Sequence, residues 1–455
     1  MVLVTFSRKG EIFLGQLAIN GGTPVVAKDK LTPWPILSSR DRELVNQVLD
    51  SGILAGAFAP NVKALQEEFA EYLGVKYCIA VNSGTAALHI AVAAAGIGPG
   101  DEVITSAFSF LASATAAMHQ GAIPVFVDID PKTYNMDPQK IEEKISENTK
   151  AIIAVHIQGL PADMDEIRAV AKKHGLILIE DAAQAAGAVY KGRKAGTLGD
   201  IAAFSLNQTK NFQAGEGGLF VTDVKEYWLR ADMVRMFGEQ VREKERRSYV
   251  AHTLGWNYRM PELTAAIARA QLERLEEINA TARRNAGILN AVLEEIEGIE
   301  PPYCPPDRTH IYHKYRARLR PEELGIRERD TVFRDKVLLA LQAEGVPAVL
   351  WQTFPLPANP LFQKKEGFGK GFPWSFPGAR PIDYNPSEYP ETTKLLNSSI
   401  VIGSERYPIF AQTAETVEMW GEAIRKVFRN LDEVMETVEL PEEEAFALGE
   451  ITSLR

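Results

Sequence analysis

Only two cysteines, Cys78 and Cys304, stand in this chain of 455 residues. They are far apart and in no metal-ligand spacing, so neither a disulfide framework nor a zinc site is indicated, and a reducing, cytoplasmic compartment is expected. A basic excess is also missing: Lys plus Arg number 50 against 60 Asp plus Glu, a net charge of -10. Nucleic acid is thereby disfavoured as a partner, because gripping a phosphate backbone takes a basic face. A small local anion site is compatible with that balance. Met1–Gly22 carries Lys9, Glu11 and no long apolar core, so it lacks the layout of a secretion signal. Two stretches, Tyr77–Gly100 and Val103–Val127, contain no charged side chain, which superficially suggests membrane spans. Asn82, His89, Pro99, His119, Gln120 and Pro124 interrupt them, so Ala-rich buried helices flanked by buried strands are the expectation, with no membrane partner.

What is present is an average soluble composition, 45% apolar and 24% charged, in a chain too long for a single small binding module. From Tyr77 to Asp223, short β-branched apolar runs alternate with helical patterns. The runs are Tyr77–Val81, Val103–Thr105, Pro124–Asp128, Ala151–Val155, Leu176–Glu180, Ile201–Ser205 and Gly218–Thr222. That alternation predicts an α/β fold with a mostly parallel seven-stranded sheet between helices. Several runs end in polar residues, at Asn82-Ser83, Asp128, His156, Asp181 and Ser205. Ligands of open α/β sheets sit at the carboxyl ends of strands, so these residues are placed to converge. After Pro261 a helical pattern continues through Leu289, Leu293 and Ile296 until Pro301-Pro302 stops it. A second, smaller α+β unit follows, with strands predicted at Tyr315–Leu319 and Ala348–Trp351 and a helix near Arg334–Glu344. The expected division is an N-terminal arm and small-domain segment over 1–50, a large domain carrying these strand ends over 51–285 and a small C-terminal domain over 286–455. Gly367–Pro390 reads as a long loop on the site, and the acidic tail from Asp432 through Pro441-Glu442-Glu443-Glu444 as a solvated end.

The sharpest local feature is Ser205-Leu-Asn-Gln-Thr-Lys210, followed by the glycine-rich Asn211–Gly218. A lysine just past a strand end, between a hydroxyl residue and such a turn, is where a desolvated amine could form a Schiff base. For an arbitrary lysine a solvated surface charge is the better reading; the neighbours overturn it. Pyridoxal phosphate needs an anion for its pyridine nitrogen, a cradle for its phosphate, a flat face for its ring and a partner for its phenolic oxygen. Asp181, where the buried run Leu176–Ile179 stops, is a carboxylate for the first role; alone, it reads as a helix cap. Ser83-Gly84-Thr85, between a strand and a helix, would turn backbone N–H groups and the helix dipole toward a phosphate. Phe110 could stack on the ring or simply be core.

These pieces in this order resemble the DegT/DnrJ/EryC1/StrS family of sugar and cyclitol aminotransferases, from Leu17-Ala-Ile-Asn-Gly-Gly-Thr-Pro24 to Glu388–Gln412. The resemblance implies a fold-type I pyridoxal-phosphate transferase. Ser83-Gly-Thr-Ala-Ala-Leu88 is similar to the family's phosphate-binding motif, and Glu180-Asp-Ala-Ala-Gln184 to the motif in which Asp181 pairs with the pyridine nitrogen and Gln184 lies by the ring. Ser205 and Lys210 match the phosphate-contacting serine and the Schiff-base lysine. Gly255-Trp-Asn-Tyr-Arg-Met-Pro-Glu262 is similar to the segment whose asparagine, Asn257 here, reaches the phosphate held by the neighbouring subunit, implying a homodimer or larger assembly with shared sites. Sugar 3-dehydratase relatives carry histidine at the lysine position, so Lys210 implies transamination rather than dehydration or a silent scaffold. The opening segment, Ala151–Gly159 and the late Gly/Pro-rich stretch look most like the branch acting on cyclitols, implying L-glutamine or L-glutamate as donor.

Other candidates are open. His156 could approach the cofactor or be a hydrogen-bonded core histidine. His313, Tyr315, Trp351 and Phe354 could line an acceptor pocket, although packing is the better reading. Arg242–Arg247 reads as a solvated charged loop that could instead screen a nucleotide diphosphate.

Overall fold

The computed structural model describes residues 15–440. Lys9 and Glu11 of the leader reading and the Pro441–Glu444 run lie outside the described residues. The strands are β1 (Tyr77–Val81), β2 (Glu102–Ser106), β3 (Ile123–Val127), β4 (Thr149–Val155), β5 (Ile177–Asp181), the hairpin β6 (Val189–Tyr190) and β7 (Arg193–Lys194), β8 (Ile201–Ser205), β9 (Gly218–Thr222), β10 (Ile299–Glu300), β11 (Tyr315–Leu319) and β12 (Ser399–Ile402). The main sheet has 7 strands in the order β1-β9-β8-β5-β4-β2-β3. Every neighbouring pair is parallel except those made by β9, which runs antiparallel to both β1 and β8.

The two-residue period of a strand sends alternate side chains to opposite faces. In β1, Ile79 and Val81 pack with the helices Gly84–Ala94 and Lys225–Arg235, while Cys78 and Ala80 pack with Pro60–Leu73 and Glu262–Leu272. In β4, Ile153 joins the first face, whereas Ile152 and Ala154 pack against Met164–His174. Both faces are covered, so the strands are apolar throughout; the chargeless stretches are buried strands and Ala-rich helices. No helix among the described residues is long and apolar enough to cross a membrane.

The second sheet, β10-β11-β12, is antiparallel and packs with the helices Leu275–Leu293, Asp330–Ala343 and Ala414–Arg429 around Trp420 and Phe333. Residues of the N-terminal segment, Leu17, Val26 and Trp34, belong to the same core.

The structure departs from the sequence expectations at four places. Ala348–Trp351 forms no strand; Val349 makes a single antiparallel bridge to Val401. The helix after Pro261 is two helices, Glu262–Leu272 and Leu275–Leu293, broken at Glu273-Arg274. Asp432 lies in the helix Leu431–Thr437, whose Val434 is buried with Val438 in the small-sheet core, so this part of the tail is packed. Residues 367–390 line no part of the cavity described below. They pack along the β2–β3 edge, where Arg380 pairs with Glu102 at 2.8 Å, Phe372 lies against Gly121, and Tyr384 and Tyr389 pack on Phe126. Aromatic side chains in a Pro/Gly-rich loop gain more from burying that edge than from standing over a polar cleft.

Candidate active site

At the carboxyl ends of β1, β5 and β8, a cavity of about 480 Å³ collects Ser83, Gly84, Thr85, Phe110, Asp181, Gln184, Ser205 and Lys210. Eight of the nine sequence-predicted site residues therefore line one space, although they span positions 83 to 210. Asn257 is not among them. It is exposed, and its Oδ1 accepts a hydrogen bond from Arg259 Nε at 3.0 Å.

The turn after β1 builds the anion cradle. Ser83 Oγ caps the following helix by accepting the Ala86 N–H at 3.1 Å. The Gly84 and Thr85 N–H groups, first in the helix, have no acceptor among the described residues. Glycine is required at 84 because a Cβ there would stand 2.6 Å from the Ser205 Cβ. The ends of β1 and β8 can thus close on one another, with N–H groups and the Ser205 hydroxyl at the same end of the cavity.

Asp181, 5% exposed, ends β5. Its Oδ2 accepts the Ser113 hydroxyl at 2.6 Å and its Oδ1 the Ala183 N–H at 3.2 Å. Burial pushes its pKa up, and the Ser113 and Ala183 bonds, with Lys210 and His156 nearby, pull it back. The short-range cap is real, yet the carboxylate also faces the cavity. Gln184 Oε1 accepts the Gln158 N–H at 2.8 Å, which turns the Gln184 amide nitrogen into the remaining donor. Gln158 holds that position in a left-handed backbone, φ 56°, followed by Gly159, where a Cβ would meet Ile311 Cγ1 at 2.6 Å.

Lys210 Nζ lies 3.5 Å from His313 Nε2. Lost hydration, then the neighbouring Lys314, lower the Lys210 pKa to about 8, against the opposing fields of Asp181 and Glu405. Burial, Lys210 and Lys314 hold His313 well below its ordinary range, so its ring is neutral. A neutral imidazole beside an amine of lowered pKa is suited to handling a proton rather than to fixing an ion pair.

The other candidates separate. His156 is wholly enclosed: Nε2 meets Glu180 Oε2 at 2.9 Å and Nδ1 accepts the Ala162 N–H at 3.1 Å, so it is a hydrogen-bonded core histidine. Asp128, also at a strand end, caps the helix Pro390–Asn397 by accepting from the Glu391 and Thr392 N–H groups. His313 and Trp351 line the cavity; Tyr315 is core, its hydroxyl bonded to Asn290, and Phe354 borders an adjoining hollow with Phe110 and Trp351. Arg242 and Glu243 line a separate hollow near β1. Glu262, in the Asn257 motif, is structural: it accepts the N–H groups of Asn61 and Val62 at 2.6 and 3.0 Å. Sequence reading missed Lys314, Glu405 and Ser113. Lys314 sits between the two considered residues His313 and Tyr315 and was the one detectable signal, a lysine entering a buried strand.

A sequence model of the DegT/DnrJ/EryC1/StrS aminotransferase family matches residues 35–375. The chain is 40% identical to GDP-perosamine synthase of Caulobacter vibrioides, over 69% of this chain and 82% of that protein. It is 39% identical to L-glutamine:2-deoxy-scyllo-inosose aminotransferase of Streptoalloteichus tenebrarius, over 67% of this chain and 74% of that one. Among solved structures, 3-amino-5-hydroxybenzoic acid synthase superposes with a TM-score of 0.77 at 28% identity, covering 88% of this chain and 99% of the other.

Proposed function

The chain belongs to the DegT/DnrJ/EryC1/StrS aminotransferase family, and from that premise we propose that it moves an amino group from L-glutamine or L-glutamate to a keto group on a cyclitol or nucleotide-linked sugar. The observation that carries this reading is the meeting of Lys210, Asp181 and the Gly84–Thr85 N–H groups in one cavity.

The residues fit pyridoxal 5'-phosphate. Gly84, Thr85 and Ser205 would hold its phosphate, Asp181 its ring nitrogen, Gln184 its phenolic oxygen and Phe110 a ring face, with Asn257 supplied to the site of a second subunit. When bound, the group supplies an electron sink that weakens the bonds at the carbon carrying the amine. Asp181, buried at the end of β5 and held by the Ser113 hydroxyl and the Ala183 N–H, offers a positioned carboxylate. Lys210 Nζ, its pKa lowered to about 8, takes the donor's α-proton as a base and returns it as an acid. Donor and acceptor use the same cavity in turn, which is a ping-pong order. The proposal includes the division at 1–50, 51–285 and 286–455, a homodimer or larger assembly, and a cytoplasmic setting.

The test is a screen of cyclitol ketones and nucleotide-linked ketosugars against protein loaded with pyridoxamine phosphate. Return of the aldehyde form's absorbance with one of these classes is expected. Its appearance only with simple keto acids would overturn the acceptor assignment.

A further inference from the structure

We propose that Lys314 is the carboxylate-binding residue of this cavity; the assignment deepens the aminotransferase reading and rests on it for the identity of the substrates. Two lysines in the described structure are more than nine-tenths buried, Lys426 at 3% and Lys314 at 8% exposure. Lys426 is satisfied in the ordinary way, with its Nζ 2.8 Å from Glu344 Oε1. Lys314 has no carboxylate in ion-pair contact and no hydrogen-bond acceptor among the described residues, yet it lines the cavity. An enclosed ammonium without an anion is costly, so a chain that keeps one facing a substrate space keeps it for an anion brought from outside.

The surroundings hold that side chain in place without an ion-pair partner, and burial lowers its pKa to about 8, a shift that a bound anion would reverse. Its Nζ stands 5.3 Å from the centroid of the Trp351 ring. Trp351 is itself anchored, because Arg316 Nη2 donates to its carbonyl at 2.7 Å. Glu405, the carboxylate whose field reaches Lys314 most strongly, is exposed and outside contact range. Lys314 enters from the start of β11, whereas the Ser83–Thr85 and Ser205 cradle comes from β1 and β8, so the two anion positions belong to different elements. Lys210 differs again, since its Nζ lies beside His313 and the field of Asp181 reaches it.

A substrate carboxylate has two sources here: the α-carboxylate of the donor amino acid, or an acidic group on the acceptor. The experiment compares the cofactor-loaded wild type with Lys314→Gln and Lys314→Arg. Glutarate and its monoamide, which bear carboxylates but neither amine nor ketone, are titrated calorimetrically. Lys314→Gln should weaken their binding about tenfold or more, and Lys314→Arg should restore most of it, because a charge-assisted hydrogen bond is at stake. In steady state, a donor KM raised by a larger factor than kcat is lowered assigns the donor's carboxylate, and an acceptor KM raised in that way assigns the acceptor's; either supports the proposal. Unchanged carboxylate affinity and unchanged KM values in Lys314→Gln would overturn it, and a shift confined to the pH profile would reduce Lys314 to an electrostatic neighbour of Lys210. If the wild type binds glutarate through Lys314 but transfers no amino group, the functional reading fails and this proposal stands.

Discussion

The Cα of Gly84 packs so closely on Ser205 that a Cβ would fall 2.6 Å from the serine Cβ and 3.0 Å from its Cα. The obstructing atoms are the backbone and its first side-chain carbon, which cannot swing away. Gly84→Ala should therefore lower stability by about 1–3 kcal/mol through overpacking. It should also open the N–H cradle, so the purified variant should retain less pyridoxal phosphate. Thermal melts and cofactor quantification check both; full retention would leave the Ser83–Thr85 turn as a simple helix start.

Borohydride reduction of the yellow protein should fix the cofactor's mass on the peptide carrying Lys210. Mass found on another lysine, Lys314 included, would sink the assignment.

The lowered pKa of Lys210 gives that chemistry a pH signature. An amine attacks only when neutral, and this one is half neutral near pH 8 rather than at the ordinary 10.5. In cofactor-free protein, the rate of pyridoxal phosphate uptake should rise with pH through a midpoint near 8. Lys314 lowers the Lys210 pKa, so Lys314→Gln should move the midpoint upward. Stopped-flow absorbance over a pH series measures it, and a downward movement would contradict the sign.

Asp181→Asn keeps the size of the side chain and both local contacts within reach while deleting the charge. The fold and much of the bound cofactor should survive, and turnover should fall on the order of 100-fold, the scale of losing one preorganised electrostatic group. Unimpaired turnover would leave Asp181 as a turn cap for Ala183.

Asn257 lies outside the cavity of its own chain, and it does not cap the helix Glu262–Leu272, which starts at Pro261 without a side-chain cap. A symmetric pair would use such a residue twice, once in each site. Mixing inactive Lys210→Ala chains with chains inactivated at Asn257 should give hybrids with one intact site and partial activity, once subunit exchange is demonstrated. Exchanged hybrids that stay inactive would disprove sharing.

The seven strands of the main sheet were legible because each is a short apolar run ending in a polar residue, and the Lys210 neighbourhood because its residues occur in a recognisable order. Ala348–Trp351 misled because an apolar run of that length is equally a strand or a loop packed on a core; only the position of β12 limits it to one bridge. Gly367–Pro390 misled because its composition reports irregular backbone but not which surface it covers.

Local pattern determined the α/β class, the strand positions and seven of the residues that meet in the cavity, since the period of a strand and the start of a helix depend on neighbouring residues alone; the eighth, Gln184, was implied by the family resemblance of its motif. The tertiary structure decided the rest. Ser113 reaches Asp181, 68 positions away, and Lys314 reaches the neighbourhood of Lys210, because the chain leading into β11, a strand of the other sheet, lines the same cavity as the ends of β5 and β8. It also diverted Asp128 and His156, strand-end residues like Asp181, into a helix cap and a buried pair. Which strand end opens on the cavity depends on the order of strands across the sheet, and that order is set by packing between elements distant in sequence.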